Sequence, residues 1–145
     1  MKTRVLFVFS CALLLLAGCF TPAPVAPGQD AVVVNAERVQ ETSLEYFHQL
    51  DEWELANRSV LPAEVSRVVD KVRDDFPTLW NESRIALNAY KEKRGVSLEA
   101  MNRVTSALSA AQASMLRLRS NDAQSISSLT ESLLRLSTSI QQLSN

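Results

Sequence analysis

Glycine is scarce in this sequence, with three residues in 145, and Gly95 is the only one beyond position 28. A glycine-rich loop that cradles phosphate is therefore excluded from the body of the chain. Histidine occurs once, as His48, and cysteine twice, as Cys11 and Cys19. These are too few for a histidine-rich metal centre or a disulfide framework. No aromatic residue follows Tyr90, and no stretch alternates apolar and polar residues at strand spacing. The charge balance, 15 Lys and Arg against 16 Asp and Glu, gives no reason to expect nucleic acid as a partner, since phosphate binding needs concentrated positive charge. What is present is a chain 46% apolar, enough for one small folded domain.

The first eighteen residues have the order of a targeting segment. Lys2 and Arg4 lead into an apolar stretch at residues 5–17, interrupted only by Ser10. At about 1.5 Å per residue a helix there covers roughly 20 Å, short of the ~30 Å hydrocarbon core that a spanning helix must cross. The segment reads as a signal peptide, residues 1–18. At its end, Leu16-Ala17-Gly18-Cys19 resembles the lipobox of bacterial lipoproteins. That resemblance implies a diacylglycerol on the Cys19 thiol, cleavage between Gly18 and Cys19, and acylation of the new amino terminus. It covers only the beginning of the chain and says how the protein is held. Several acyl chains on one cysteine make a durable anchor, where a single chain binds marginally. In the enteric pathway an aspartate after the cysteine tends to retain a lipoprotein in the inner membrane; Phe20 stands there, which points to the outer membrane, facing the periplasm. Cys11 would leave with the signal peptide, so the mature chain would have no cysteine for a disulfide, a nucleophile or a metal. Losing Lys2 and Arg4 as well leaves 13 basic against 16 acidic side chains, a net charge of −3.

Residues 19–29 form the anchor and a linker, with Pro22, Pro24 and Pro27 followed by Gly28. Proline fixes its own backbone angle and disfavours helix in the residue before it, which predicts an extended spacer. At about 3.1 Å per residue it would hold the folded part roughly 30 Å from the lipid.

Residues 30–145 read as all-α, an antiparallel bundle of three to four helices. Asp30 caps a first helix whose inward stripe is Val32, Ala36, Val39, Ser43, Tyr46, Leu50 and Trp53, widened by Leu44 and Phe47. It ends near Arg58, and Pro62 belongs to the first turn of the next helix. That second segment carries Val65, Val69, Val72, Phe76, Trp80, Ser83, Leu87 and Tyr90, with Pro77 predicting a kink or a short break. Gly95 supplies the left-handed C-terminal cap. Ser97 is the N-cap of a third helix with the stripe Met101, Val104, Leu108, Ala111, Met115 and Leu118. Near Asn121 the pattern falters, and a break with a fold-back is favoured over one long helix, Asn121 and Gln124 being able to form a cap.

The last stripe is Ile126, Leu129, Leu133, Leu136, Ile140 and Leu143, in heptad positions compatible with a coiled coil. Its edges are Ser125, Thr130, Ser132, Ser137, Ser139 and Ser144, so the charge pairs that usually select a partner are missing. Small flanks favour an internal fourth helix; a seam for a homo-oligomer or an envelope protein partner is the other reading.

Catalytic chemistry is poorly supplied. Glu41, Glu45, His48 and Glu52 share a helical stripe, and Glu45-x-x-His48 matches half of a di-iron carboxylate pattern. The second histidine is missing, and the stripe points away from the predicted core. Asp51, Glu52 and Glu54, and separately Asp74 and Asp75, have no recognisable substrate platform around them. No Gly-x-Ser-x-Gly occurs. Trp53 and Trp80 are read as core, with an apolar ligand groove as the sharper alternative. The expectation is a lipid-anchored envelope protein, not an enzyme, with no cofactor and no metal, acting through protein contacts. A phage or prophage envelope lipoprotein used in lysis or exclusion is the alternative.

Overall fold

The computed structural model describes residues 25–119 and 124–143. Gly18 and Cys19, most of the Pro-rich linker and the segment around Asn121 lie outside the described residues. Four helices follow one another: α1 (Ala31–Asn57), α2 (Ala63–Lys91), α3 (Leu98–Arg119) and α4 (Gln124–Gln141), with no strand among the described residues. No helix among the described residues is long and apolar enough to cross a membrane.

The described end of the linker, residues 25–29, makes a turn before the first helix. Gln29 N–H donates to the Ala26 carbonyl at 3.1 Å, and Gly28, with φ +89°, takes the third position of the turn after Pro27. Proline then glycine is the sequence of a type II turn, because only the second central residue needs positive φ. Asp30 follows with extended backbone, and its Oδ1 accepts from Val32 N–H at 2.8 Å, satisfying one of the donors left open at a helix start.

Along α1 the buried residues are Ala36, Val39, Gln40, Ser43, Phe47, Leu50 and Glu54. The stripe is thus rotated toward Phe47, while Tyr46 and Trp53 lie half-buried at its edge. Phe47 stacks on Phe76 of α2 with ring centroids 5.0 Å apart. The physical reason is size and polarity: phenylalanine has no polar tip, whereas Tyr and Trp settle where one end stays wet.

Helix α2 buries Val65, Val69, Val72, Phe76, Ser83 and Leu87, as its spacing predicts. It runs through Pro77 without the short break that proline could have imposed. Pro77 is exposed, so the proline stands on the solvent side of the helix, where water can reach a carbonyl left without its helical donor. Pro62 sits just outside the helix, at the N-cap, instead of in the first turn.

The predicted Gly95 cap is displaced. Lys93 N–H bonds the Tyr90 carbonyl at 3.0 Å and Arg94 N–H the Ala89 carbonyl at 2.8 Å, the paired bonds of a Schellman motif. Lys93, with φ +56°, therefore holds the left-handed position, and Gly95, φ +74°, is a second left-handed residue in the loop that follows. Ser97 caps α3 as expected, its Oγ accepting from Ala100 N–H at 3.1 Å.

The predicted stripe of α3 is buried in full, and Leu129, Leu133, Leu136 and Ile140 of α4 are buried against the same core, with Ile126 and Leu143 packed at its margin. The chain folds back between Arg119 and Gln124, and α3 packs closely on α4. Ser114 of α3 lies 3.0 Å from Ser128 and 3.1 Å from Ser132 of α4. These small hydroxyls let the two backbones approach and satisfy one another inside the interface, which fixes the register of the pair.

Candidate functional site

Three groups of residues carry enough chemistry to be weighed as sites. The first is the predicted Glu41, Glu45, His48 and Glu52 stripe. All four are exposed on α1. Glu45 accepts from Gln49 at 3.0 Å, and the His48 ring tilts against Phe47 at 5.5 Å. The described residues hold no cluster of His, Cys, Asp and Glu able to grip a metal ion. Of the other predicted acids, Asp75 is tied to Lys71 at 2.7 Å and Asp74 is exposed.

The second is a charge network at the far end of the α1–α2 pair, which sequence reasoning missed. Glu54 is wholly buried, at 0% exposure. Arg58, one turn on, places Nε 2.8 Å from its Oε1, and Arg73 of α2 places Nη2 3.2 Å from its Oε2. Arg73 also bonds Asp51 at 2.6 Å through Nε and pairs with Asp70, which Arg58 reaches at 2.7 Å. Burial pushes the Glu54 carboxyl up, but hydrogen bonds from Arg58, Ser66 and Arg73 outweigh it and hold the group below its ordinary value. Hydrogen bonding to Asp51 leads the causes that raise Arg73. Each oxygen of Glu54 is thus engaged by a cation, which makes it a clamp between helices, and a buried carboxylate whose pKa is held down is a poor general base. The signal was in the sequence: Glu54 continues the steps of Phe47 and Leu50, a carboxylate in the core phase with Arg58 four residues on.

The third is the end of the bundle where the linker enters. Tyr90 Oη donates to Asp30 Oδ2 at 3.2 Å, and Lys91 pairs with Glu37 at 2.7 Å. Burial, then the nearby Asp30 charge, raises the Tyr90 phenol. Together with Val33, Val34 and Val96 these residues line an open cleft of about 580 Å³. The α2–α3 turn and the end of α4 lie at this same end, since Glu99 and Gln142 line one groove. The α1–α2 turn, with Val60 78% exposed, is at the opposite end, roughly 40 Å away for a helix of 27 residues.

Neither tryptophan lines the two clefts at the linker end of the bundle. Trp80 is half-buried and donates its indole N–H to the Gln40 carbonyl at 2.9 Å, tying α2 to α1, and Trp53 packs half-buried against the core. Among the predicted seam residues, Leu129, Leu133, Leu136 and Ile140 are turned inward, so the described α4 presents Leu134 outward in their place, at 66% exposure. Gly18 and Cys19, the predicted cleavage and lipidation residues, are outside the described residues. Comparison with family models, with curated proteins and with solved structures finds no match to this chain.

Proposed function

We propose that this chain is a cell-envelope lipoprotein, held in the outer membrane by lipid on Cys19, whose helical body acts in the periplasm through protein contacts and not by catalysis. The observation that carries this reading is the order of its first nineteen residues: Lys2 and Arg4, an apolar stretch too short to remain as a span, then Leu16-Ala17-Gly18-Cys19. Lipid attachment also suits a body whose described helices are too polar to cross a bilayer. What supports the non-catalytic part is the state of the acids: Glu54 is buried and held by two arginines, Asp75 is paired with Lys71, and the His48 stripe is exposed to solvent. The linker enters at Asp30, so the α1–α2 turn would be the part of the body farthest from the lipid, reaching into the periplasm.

The test is metabolic labelling with a palmitate analogue, followed by membrane fractionation, of the wild-type chain and Cys19→Ser. Label and membrane recovery that both depend on Cys19 are expected. Equal label in the two proteins, or a secreted product trimmed elsewhere than after Gly18, overturns the reading.

A further inference from the structure

The cleft where the linker enters has a mixed lining. Val33, Val34 and Val96 give it an apolar surface, and Asp30, Glu37, Lys91 and Lys93 bring both signs of charge to it. Asp30 accepts from Val32 N–H and from Tyr90, and Glu37 pairs with Lys91. Lys93 is exposed and has no carboxylate partner among the described residues. We propose that this cleft takes the headgroup of a zwitterionic aminophospholipid from the membrane that holds Cys19. The phosphate meets Lys93, the headgroup ammonium turns toward Asp30 and Glu37, and the glycerol lies against the valines. A carboxylate oxygen accepts more than one hydrogen bond, so both acids can still take an ammonium N–H.

Two observations select a lipid as the occupant. The first is reach. Gln29 and Asp30 line the cleft, and the turn from Ala26 to Gln29 leaves six Cα-to-Cα steps between Cys19 and Val25, a span of at most about 22 Å. The cleft of an anchored chain is therefore held close to the bilayer surface, where headgroups are abundant and each encounter is effectively intramolecular. The second is charge. Acid and base facing one small space match a ligand that carries both signs, and the valines beside them match its glycerol. A site for a purely anionic headgroup would show an excess of Lys and Arg, whereas Lys91 and Lys93 are balanced here by Asp30 and Glu37. The headgroup site rests on the lipid anchor proposed for Cys19, which is what holds the cleft at a membrane.

The test places a photo-cross-linking side chain at Val34 or Gln29, in the cleft, and at Gln142, exposed at the same end but outside it. The full chain is irradiated in cell membranes, and lipid adducts are read by mass spectrometry. An ethanolamine phospholipid is expected at the cleft positions in several-fold higher yield than at position 142. Lys93→Glu, which removes the phosphate partner, lowers that yield several-fold, and Lys93→Arg retains it. The acyl mass on Cys19 is read in the same sample. Acyl chains present with no adduct at either cleft position overturn the headgroup site alone; acyl chains absent, with the chain in the soluble fraction, overturn the anchor and the site together. Equal yields inside and outside the cleft, a yield indifferent to Lys93→Glu, or adducts chiefly of phosphatidylglycerol also overturn the site.

Discussion

Glu54 of α1 is completely buried, and Arg73 of α2 is the only cation from another helix that reaches it among the described residues, with Nη2 3.2 Å from Oε2. Taking one partner from a buried ion leaves charge uncompensated and costs more than the pair contributes when intact. Arg73→Leu is therefore expected to lower unfolding stability by about 2–3 kcal/mol, with Arg58 still holding one carboxylate oxygen. Urea titration measures it. Lys71→Ala is the control, because the Lys71–Asp75 pair is exposed and such pairs contribute little. Equal small losses in both variants would show that the network does not bind α1 to α2.

Stability should also fall in acid in a manner traceable to Glu54. Burial raises this carboxyl, and hydrogen bonds from Arg58, Ser66 and Arg73 lower it further than burial raises it, so the folded value lies below the ordinary 4.5. A depressed carboxylate contributes stability that is present above the unfolded value and is lost as pH falls through the folded one. Stability is accordingly expected to hold from neutral pH down to about 4.5 and to decline below it. In Glu54→Gln, starting from a lower level, the decline should be shallower over the same range. Thermal unfolding followed by circular dichroism from about pH 7 to about pH 3 checks the sign. A Glu54→Gln profile as steep as the wild type would assign the acid sensitivity to other carboxylates.

Large apolar residues at regular spacing made most of this fold legible. The stripes of α2 and α3, the buried part of α4 and the caps at Asp30 and Ser97 all follow from side chains with one sensible place to go. The phase of α1 was less determined, because Leu44, Tyr46, Phe47, Leu50 and Trp53 offer two overlapping stripes and the amphipathic rings of Tyr46 and Trp53 suit an edge as well as an interior. Choosing the stripe through Tyr46 and Trp53 moved Glu54 off the core, where a lone acid is ordinarily expected to be. Its burial depends on Arg73, nineteen residues away and on another helix, which no local pattern discloses. The lipidation motif is the reverse case: it is legible in sequence, yet Gly18 and Cys19 lie outside the described residues.

The end of α2 holds a strained residue that one substitution should relieve. Lys93 adopts φ +56°, a conformation in which a side chain crowds the following carbonyl by about 1–2 kcal/mol while glycine does not. Lys93→Gly is expected to raise stability by about 1 kcal/mol, the relief being partly offset by the greater freedom of the unfolded chain. Gly95→Ala, at φ +74° with open space around the new methyl, should lower it by a similar amount through backbone strain alone. Chemical denaturation of both variants checks the pair. A destabilised Lys93→Gly would mean that the lysine side chain makes a contribution larger than its strain.

Pro77 offers the corresponding test of helix continuity. It lies within α2 with its ring exposed, between the buried Phe76 and the half-buried Trp80. Proline in a helix interior is less favourable than alanine by about 3 kcal/mol, through the lost hydrogen bond to the carbonyl four residues back and the ring clash. Against this, Pro77→Ala frees the unfolded chain, at a cost of about 1 kcal/mol. Relief of the helix outweighs that freedom, and a net gain of about 2 kcal/mol is expected, read as a higher urea midpoint at unchanged slope. If the variant is instead destabilised, the backbone course that Pro77 sets in α2 is needed to bring Phe76 onto Phe47 and the Trp80 indole onto the Gln40 carbonyl. In that case weaker near-ultraviolet dichroism from these rings should accompany the loss.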